Sequence, residues 1–380
     1  MNRLDSNTVI AFAETADERE AVYRQRYAVY IDELHLCESV ADHNRKILTD
    51  AYDATGRLLY ARIGDDIVGS MRVHLGSDGA FPEPFEVQYD LQRFAATVSY
   101  AQMSVITRLM ITKAYRHSPV SFGLMHAVAE FGLRLPTLQL CFLSCAPHLI
   151  NLYLRLGFRT YTRSSSDPEF GFFVPMVLVV RDLNYLARIA SPFLSLIAQY
   201  VTPAEIPPWV DTIFPDSSSV WSERADAEKY WSQAYGLLTE KSQGEYSVFD
   251  GLTEDQIKLF LAKGHVLDSG QGELVIRKGT VANGLFVVLS GVVEVRDSDR
   301  VLAVLGRGEI FGEVSFLLAS SRSASVYAAS DHVRILSLDD KTLRLLIETD
   351  ATTSAKFLLN LARVLCVRLT AVQSSSPVQS

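Results

Sequence analysis

Residues 311–326 decide how the C-terminal part of this chain folds. They read Phe311-Gly312-Glu313-Val314-Ser315-Phe316-Leu317-Leu318, then, after a short gap, Arg322-Ser323-Ala324-Ser325-Val326. This order suits one bound phosphate. Gly312 lets the backbone approach a ligand closely. Residues 314–318 read as a short helix, and the N–H groups of its first turn, those of Val314 and Ser315 among them, can face an anion. Arg322 offers a guanidinium fork for phosphate oxygens. Glu313 can accept a hydrogen bond from a ribose hydroxyl, and Ser323 adds a hydroxyl beside the arginine.

The surroundings are β-rich. Short apolar runs recur at 274–276, 285–289, 292–295, 301–305, 325–328 and 333–338, punctuated by Gly279, Gly284, Gly291, Gly306, Gly308 and Gly312. Many short strands with regular turns predict a sandwich or barrel. A closing helix is expected over 353–372, with a disordered tail at 373–380.

The segment resembles the phosphate-binding cassette of the cyclic-nucleotide-binding family, shared by the catabolite activator protein and the protein kinase A regulatory subunits. Arg322 follows Glu313 by nine positions, the spacing of the kinase form. The resemblance covers 246–372 and takes in Gly279, Gly291 and Leu361-Ala362-Arg363. It implies a β-roll, jelly-roll-like, that binds a cyclic nucleotide through Gly312, Glu313, Val314, Ser315, Arg322 and Ser323. Ser323 fits cAMP and cGMP alike, with cAMP favoured. The base cap is expected near 363–370. An internal Glu313–Arg322 ion pair, in a domain without ligand, is the competing reading.

Residues 1–185 have another texture. Strand patterns at 8–13, 58–63, 67–73, 104–112, 138–144 and 174–180 alternate with helical ones at 18–33, 119–131 and 147–156. Gly64-Asp65-Asp66 marks a hairpin. The pattern is an α/β mixed sheet with flanking helices. Leu152-Tyr153-Leu154-Arg155-Leu156-Gly157-Phe158 resembles a signature of the GNAT acyltransferase fold, and it implies that Tyr153 protonates a departing thiolate. Four more segments are similar to the acyl-homoserine-lactone synthases and long-chain N-acyl amino acid synthases. They are Arg26-Tyr27-Ala28-Val29-Tyr30, Asp50-Ala51-Tyr52-Asp53, Gly69-Ser70-Met71-Arg72-Val73 and Thr107-Arg108-Leu109. By that resemblance Asp50, Asp53, Arg72 and Arg108 shape the amine and acyl-donor site. A bulged strand N–H near Arg108 would steady the oxyanion.

Two positions depart from that pattern. Val105 stands where the synthases carry a glutamate that helps deprotonate the amine. Arg116-His117-Ser118-Pro119-Val120-Ser121 replaces the glycine-rich turn that cradles coenzyme A, and Pro119 lacks an N–H. A donor carried on an acyl-carrier protein needs less of that turn than acyl-CoA does. His117 is a candidate replacement base, although a solvated loop histidine is the plainer reading.

Between the two textures, 186–245 holds five prolines, a serine run and all three tryptophans, Trp209, Trp221 and Trp231. A flexible linker is poor in aromatic residues, so a packed helical connector is expected.

Composition limits the alternatives. The net charge of −8 and pI near 5.6 argue against nucleic-acid binding. No stretch is long and apolar enough to span a bilayer, which excludes a gated-channel fragment. No signal-peptide pattern opens the chain, so a cytoplasmic protein is expected. Cys141 and Cys145 have no matching Cys or His pair, so no metal site is expected. The leading expectation is a cyclic-nucleotide-regulated N-acyltransferase using an acyl-carrier-protein or coenzyme A thioester. The alternative is a non-catalytic sensor whose degenerate N-terminal domain binds an acyl ligand or a partner. A homodimer is expected from apolar Leu358, Leu361, Val364, Leu365 and Leu369 on the last helix.

Overall fold

A computed structural model describes residues 7–116, 118–162, 165–167, 170–202, 209–214, 247–280 and 284–375. Its chain divides into two compact units, 1–162 with 174–220 and 163–173 with 221–380. His117, Trp221, Trp231 and most of the expected connector lie outside the described residues.

The first unit opens with β1 (Thr8–Phe12) and α1 (Ala16–Tyr27). Thr15 starts α1 with a reciprocal capping box to Glu18. A π-helical turn, Ala28–Glu33, continues it and carries Tyr30. A 3-10 turn, Ala51–Ala54, follows, with Asp50 at its N-cap. The hairpin β2 (Arg57–Ile63) and β3 (Asp66–Leu75) comes next. Helices α2 (Glu83–Gln88) and α3 (Gln92–Ala95) then lead to β4 (Met103–Ile111). Beyond it lie α4 (Val120–Leu133), β5 (Leu140–Cys145), α5 (Ile150–Leu156), β6 (Arg159–Thr160), β7 (Ser165–Asp167) and β8 (Gly171–Val179), of which β7 and the start of β8 fall in the 163–173 segment that groups with the second unit. The strand order is β1-β2-β3-β4-β5-β8-β6, with β7 beside β8.

Among the described residues only β4 and β5 pair in parallel, and their register runs from Met103↔Leu140 to Ile106↔Leu143. Both strands continue past that point, β4 on β3 and β5 on β8. A wedge therefore opens between their C-terminal halves. At its edge β4 bulges: Arg72 faces Thr107 and Ser70 faces Met110, so two residues, Arg108 and Leu109, oppose Met71 alone. Arg108 takes the left-handed φ of +54° there.

Alternation gives the sheet two apolar faces. Phe85, Phe94, Met103, Val105, Leu140, Phe142 and Val177 share one core, joined by Trp209 and Phe214 of the expected connector. The connector residues that are described thus pack on the first unit, through α6 (Leu183–Arg188), α7 (Leu194–Ile197) and α8 (Val210–Ile213). On the other face an apolar cavity of about 30 Å³, lined by Ile106, Cys141, Met125, Phe158 and Phe193, has room for little more than one small group. Gly157 ends α5 at φ +116°, where a Cβ would lie 2.3 Å from Leu186.

The second unit starts at α9 (Glu254–Lys263), capped by a Thr253–Gln256 box. Strands β9 (His265–Ser269), β10 (Leu274–Ile276), β11 (Gly284–Ser290), β12 (Val293–Asp297), β13 (Arg300–Leu305), β14 (Ile310–Phe311), β15 (Ser325–Ala328) and β16 (Val333–Asp339) make two antiparallel sheets. Their orders are β10-β15-β12-β13 and β14-β11-β16-β9. The helix α10 (Glu313–Leu318) lies between β14 and β15 in sequence. This is the expected β-roll.

Its end differs from the sequence expectation. There are two closing helices, α11 (Asp340–Thr349) and α12 (Ala351–Ser375). The second keeps 373–375 helical, so they belong to α12 and not to a tail. Phe357 stacks on Phe260 at 4.6 Å, and Asn360 donates to the carbonyls of Val248 and Asp250. The apolar stripe also needs correcting. Leu361 is buried in the domain's own core, and Val364 and Leu365 pack on it.

Candidate functional sites

In the second unit the site begins at the end of β14. Gly312 has φ +78°, and a Cβ there would sit 2.4 Å from Arg322 Nη1. Only glycine lets the arginine fold against the backbone at this point. Arg322 Nη1 donates to the Gly312 carbonyl at 2.7 Å and to the Ser315 hydroxyl at 2.6 Å, and Nη2 donates to the Gly284 carbonyl at 2.8 Å. The Phe286 ring lies 5.4 Å from the guanidinium and stacks on Phe311. Arg322 is 4% exposed, and among the described residues no carboxylate lies within ion-pair distance of it. Burial lowers its pKa to about 10, so it stays charged at neutral pH.

A buried cation held only by carbonyls, a hydroxyl and a ring retains unmet charge. It borders a cavity of about 490 Å³ lined by Ile276, Val295, Leu302, Glu309, Glu313 and Ser323, among others. That is the size of a small-molecule site. The competing ion pair is not made. Glu313 pairs instead with Arg368 of α12, Oε1 to Nη1 at 3.3 Å, while Arg368 Nη2 donates to the Ile310 carbonyl at 2.7 Å. Arg368 thus reaches the cavity from the stretch where the base cap was expected.

In the first unit four of the five site residues expected from sequence converge. Asp50 caps the 51–54 turn and Asp53 closes it, each side chain bonded to the other end of the turn. Asp53 accepts two bonds from Arg26 Nη1, at 2.7 and 2.8 Å, and one from Arg72 Nη1 at 3.0 Å. Asp50 accepts from Arg72 Nη1 and from Arg108 Nε at 2.8 Å. Arg72 also donates to the Thr107 hydroxyl at 3.1 Å. Tyr23, Tyr52 and Tyr30 lie beside Arg26, Arg72 and Arg108 in turn.

Three arginines face two aspartates, so the cluster carries one excess positive charge. Desolvation alone would raise the Asp50 pKa, but Arg108 and Arg72 outweigh it and hold the carboxyl below its ordinary value. Burial lowers Arg26 despite Asp53. Burial opposes the charge on Arg108 too, yet Tyr30 and Asp50 raise its pKa. Two of the Arg26 nitrogens, Nε and Nη2, are buried with no partner among the described residues. Sequence reasoning quoted Arg26 within a motif and gave it no role. Its partner lies 27 residues on, and only the fold shows the pairing.

Tyr153 stands apart from this cluster. It is buried on α5 against Phe158, near Cys145, and burial pushes its hydroxyl well above the usual range. No described hydrogen bond joins it to the arginine–aspartate set. His117 is outside the described residues. Sequence reasoning also missed Arg368, Phe286 and His74.

The comparisons agree with this division. Residues 269–350 match the cyclic nucleotide-binding domain, and residues 21–182 match the N-acyl amino acid synthase FeeM. The chain therefore carries one segment similar to the cyclic nucleotide-binding domain and another similar to the N-acyl amino acid synthase FeeM. Among curated relatives, the cAMP-dependent protein kinase regulatory subunit of Eremothecium gossypii is 30% identical over 35% of this chain and 29% of its own. The cyclic AMP receptor protein of Thermus thermophilus is 35% identical over 22% of this chain and 41% of its own. A crystal structure of the Thermus thermophilus catabolite activator protein is 32% identical over 33% of this chain and 59% of that one, with a TM-score of 0.30. The chain spans less than half the length of these curated relatives. No described helix is long and apolar enough to cross a membrane.

Proposed function

We propose that the chain is a cyclic-nucleotide-regulated N-acyltransferase that moves an acyl group from a thioester to the amine of an amino acid. The observation that carries the acyl-transfer half is the wedge between β4 and β5, with its bulge at Arg108. A thioester laid in the wedge meets backbone turned out of the ladder, as oxyanion stabilisation requires. The excess positive charge of Arg26, Arg72 and Arg108 suits the acceptor's carboxylate. Asp50 and Asp53 fix these arginines, and Tyr153 would serve the departing thiolate. The donor is acyl-carrier protein or coenzyme A. Pro119 at the start of α4 favours the carrier.

The regulatory half rests on the cavity beside Arg322. The cyclic phosphate would displace carbonyls from the guanidinium, with Gly312, Val314, Ser315 and Ser323 around it and Glu313 on the ribose. We favour cAMP as the ligand. The functional blocks are 1–185, a connector over 186–245, and 246–372. A homodimer would use the exposed face of α12, where Ala355, Leu359, Ala362, Cys366 and Leu369 recur at heptad spacing. The four cysteines form no disulfide, which suits a reducing, cytoplasmic setting.

One observation favours the non-catalytic alternative: both aspartates are bound to arginines and cannot easily take a proton. The deciding experiment incubates the protein with amino acids and acyl-carrier-protein or coenzyme A thioesters, with and without cAMP or cGMP. N-acyl product whose rate responds to nucleotide supports the reading. Nucleotide binding without product leaves the sensor.

A further inference from the structure

Acyl transfer to an amino acid needs a base. The acceptor's amino group has an ordinary pKa of about 8 and arrives largely as ammonium at neutral pH, without a lone pair to attack. The carboxylates nearest the wedge are poor candidates, since Asp50 and Asp53 accept hydrogen bonds from three arginines.

His74 lies beside them. It stands on β3 two residues beyond Arg72, so both side chains project from the same face. Its register partner on β4 is Val105, the position where an acid was expected and is missing. His74 Nε2 is 3.0 Å from the Tyr52 carbonyl oxygen. A carbonyl only accepts, so Nε2 carries the hydrogen and Nδ1 holds the lone pair. His74 is 3% exposed, and Nδ1 is buried with no hydrogen-bond partner among the described residues. A buried acceptor left unpaired is uncommon and costly, and it calls for a function.

The groups around the ring are few. Arg72 comes from the same strand, Asp50, Asp53 and the Tyr52 carbonyl from the 51–54 turn, Val105 from β4, and the edge-on Phe85 ring from α2 at 5.1 Å. Burial, with Arg72 behind it, holds the imidazole below its ordinary pKa against the pull of the turn. The ring is therefore neutral at pH 7.

We propose that His74 Nδ1 is the general base that takes a proton from the acceptor's ammonium group, an assignment that rests on the N-acyltransferase reading above. The ammonium gives one proton to Nδ1, and the freed lone pair forms the C–N bond at the thioester carbonyl. The tetrahedral species collapses, the C–S bond breaks, and the departing thiolate takes a proton from Tyr153, which the second nitrogen proton then replaces. Nδ1 then releases its proton to water. An ammonium and a thioester become an amide, a thiol and a proton.

The test is the pH profile of kcat/KM for the wild type and for His74→Gln, whose amide can still donate to the Tyr52 carbonyl. The wild-type rate should rise through a limb centred below pH 6.5 and then level off. The variant should lose about a hundredfold at pH 7, chiefly in kcat, and its residual rate should follow the free-amine fraction and rise near pH 8. A variant that matches the wild type at every pH overturns the base. So does a wild-type profile with no limb below pH 6.5, a reading that stands even if the variant fails to fold. A wild type that acylates no amino acid from either kind of thioester overturns the acyltransferase reading itself, and the base with it.

Discussion

Two buried arginine sites divide this molecule, and they are built on opposite principles. Among the described residues Arg322 has no carboxylate partner, and it is held by two carbonyls, a hydroxyl and an aromatic face. Arg26, Arg72 and Arg108 are tied to Asp50 and Asp53 before any ligand arrives. The first arrangement leaves charge for a guest. The second consumes most of its charge in fixing geometry and leaves one cation in excess. Removing a side chain should therefore cost ligand affinity in one site and fold stability in the other.

The largest effect is expected at Asp53. It is almost fully buried and holds Arg26 and Arg72 together. Asp53→Asn leaves two buried guanidiniums short of an anion and should destabilise the first unit by about 3–5 kcal/mol. Urea unfolding would measure this, and nucleotide affinity should not change. Asp50 sharpens the point through pH. Its folded pKa lies below the ordinary value of 3.8, so its stabilisation is complete above that pH. It is lost as pH falls through the lower folded value. Acid unfolding of Asp50→Asn should therefore lose a component below pH 3.8 that the wild type shows.

Arg322→Ala comes next and reverses the pattern. Nucleotide affinity should fall by roughly 2–5 kcal/mol, because the phosphate would meet a buried site without its cation. Calorimetry would read this directly. Stability of the ligand-free protein should change less, since no buried acid is stranded.

The two sites also differ in how much the sequence disclosed. The nucleotide site is local: Gly312, Glu313, Ser315 and Arg322 fall within eleven consecutive residues, and their spacing carried the reading. The N-terminal cluster is assembled from α1, the 51–54 turn, β3 and β4. Its residue types were legible as short motifs, but the pairing of Arg26 with Asp53 was not. His74 was invisible, because its meaning lies in the register with Val105 and in the carbonyl of Tyr52. Helices α2 and α3 were missed too. They are only 6 and 4 residues long, and α2 contains Pro84, so no helical period can develop. The closing helix misled for another reason. It is apolar on more than one face, and sequence alone could not say which face its own core takes.

A backbone test is expected to have an intermediate effect. At Gly312 an added Cβ meets Arg322 Nη1 at 2.4 Å, and the φ of +78° disfavours any other residue. Gly312→Ala should shift the guanidinium and weaken nucleotide binding by about 1–2 kcal/mol. An unchanged affinity would mean that Arg322 moves away from Gly312 when ligand binds.

The smallest effect has the opposite sign. Glu313 already pairs with Arg368 at 3.3 Å, and Arg368 also donates to the Ile310 carbonyl at 2.7 Å. An incoming ribose hydroxyl must share or displace that contact. Arg368 is 30% exposed at its side chain and Glu313 13%, so solvent screens the pair. Such a pair contributes at most about 1 kcal/mol. Arg368→Gln removes the competitor and leaves Glu313 free for the ribose. Affinity should rise by up to about fivefold, which corresponds to that energy. Titration of the variant with the preferred nucleotide would decide the matter. A tighter complex would make Arg368 a restraint of the ligand-free state that ties α12 to the cassette. A weaker one would mean that Arg368 contacts the nucleotide itself, and that the cavity's second cation belongs to the ligand as Arg322 does.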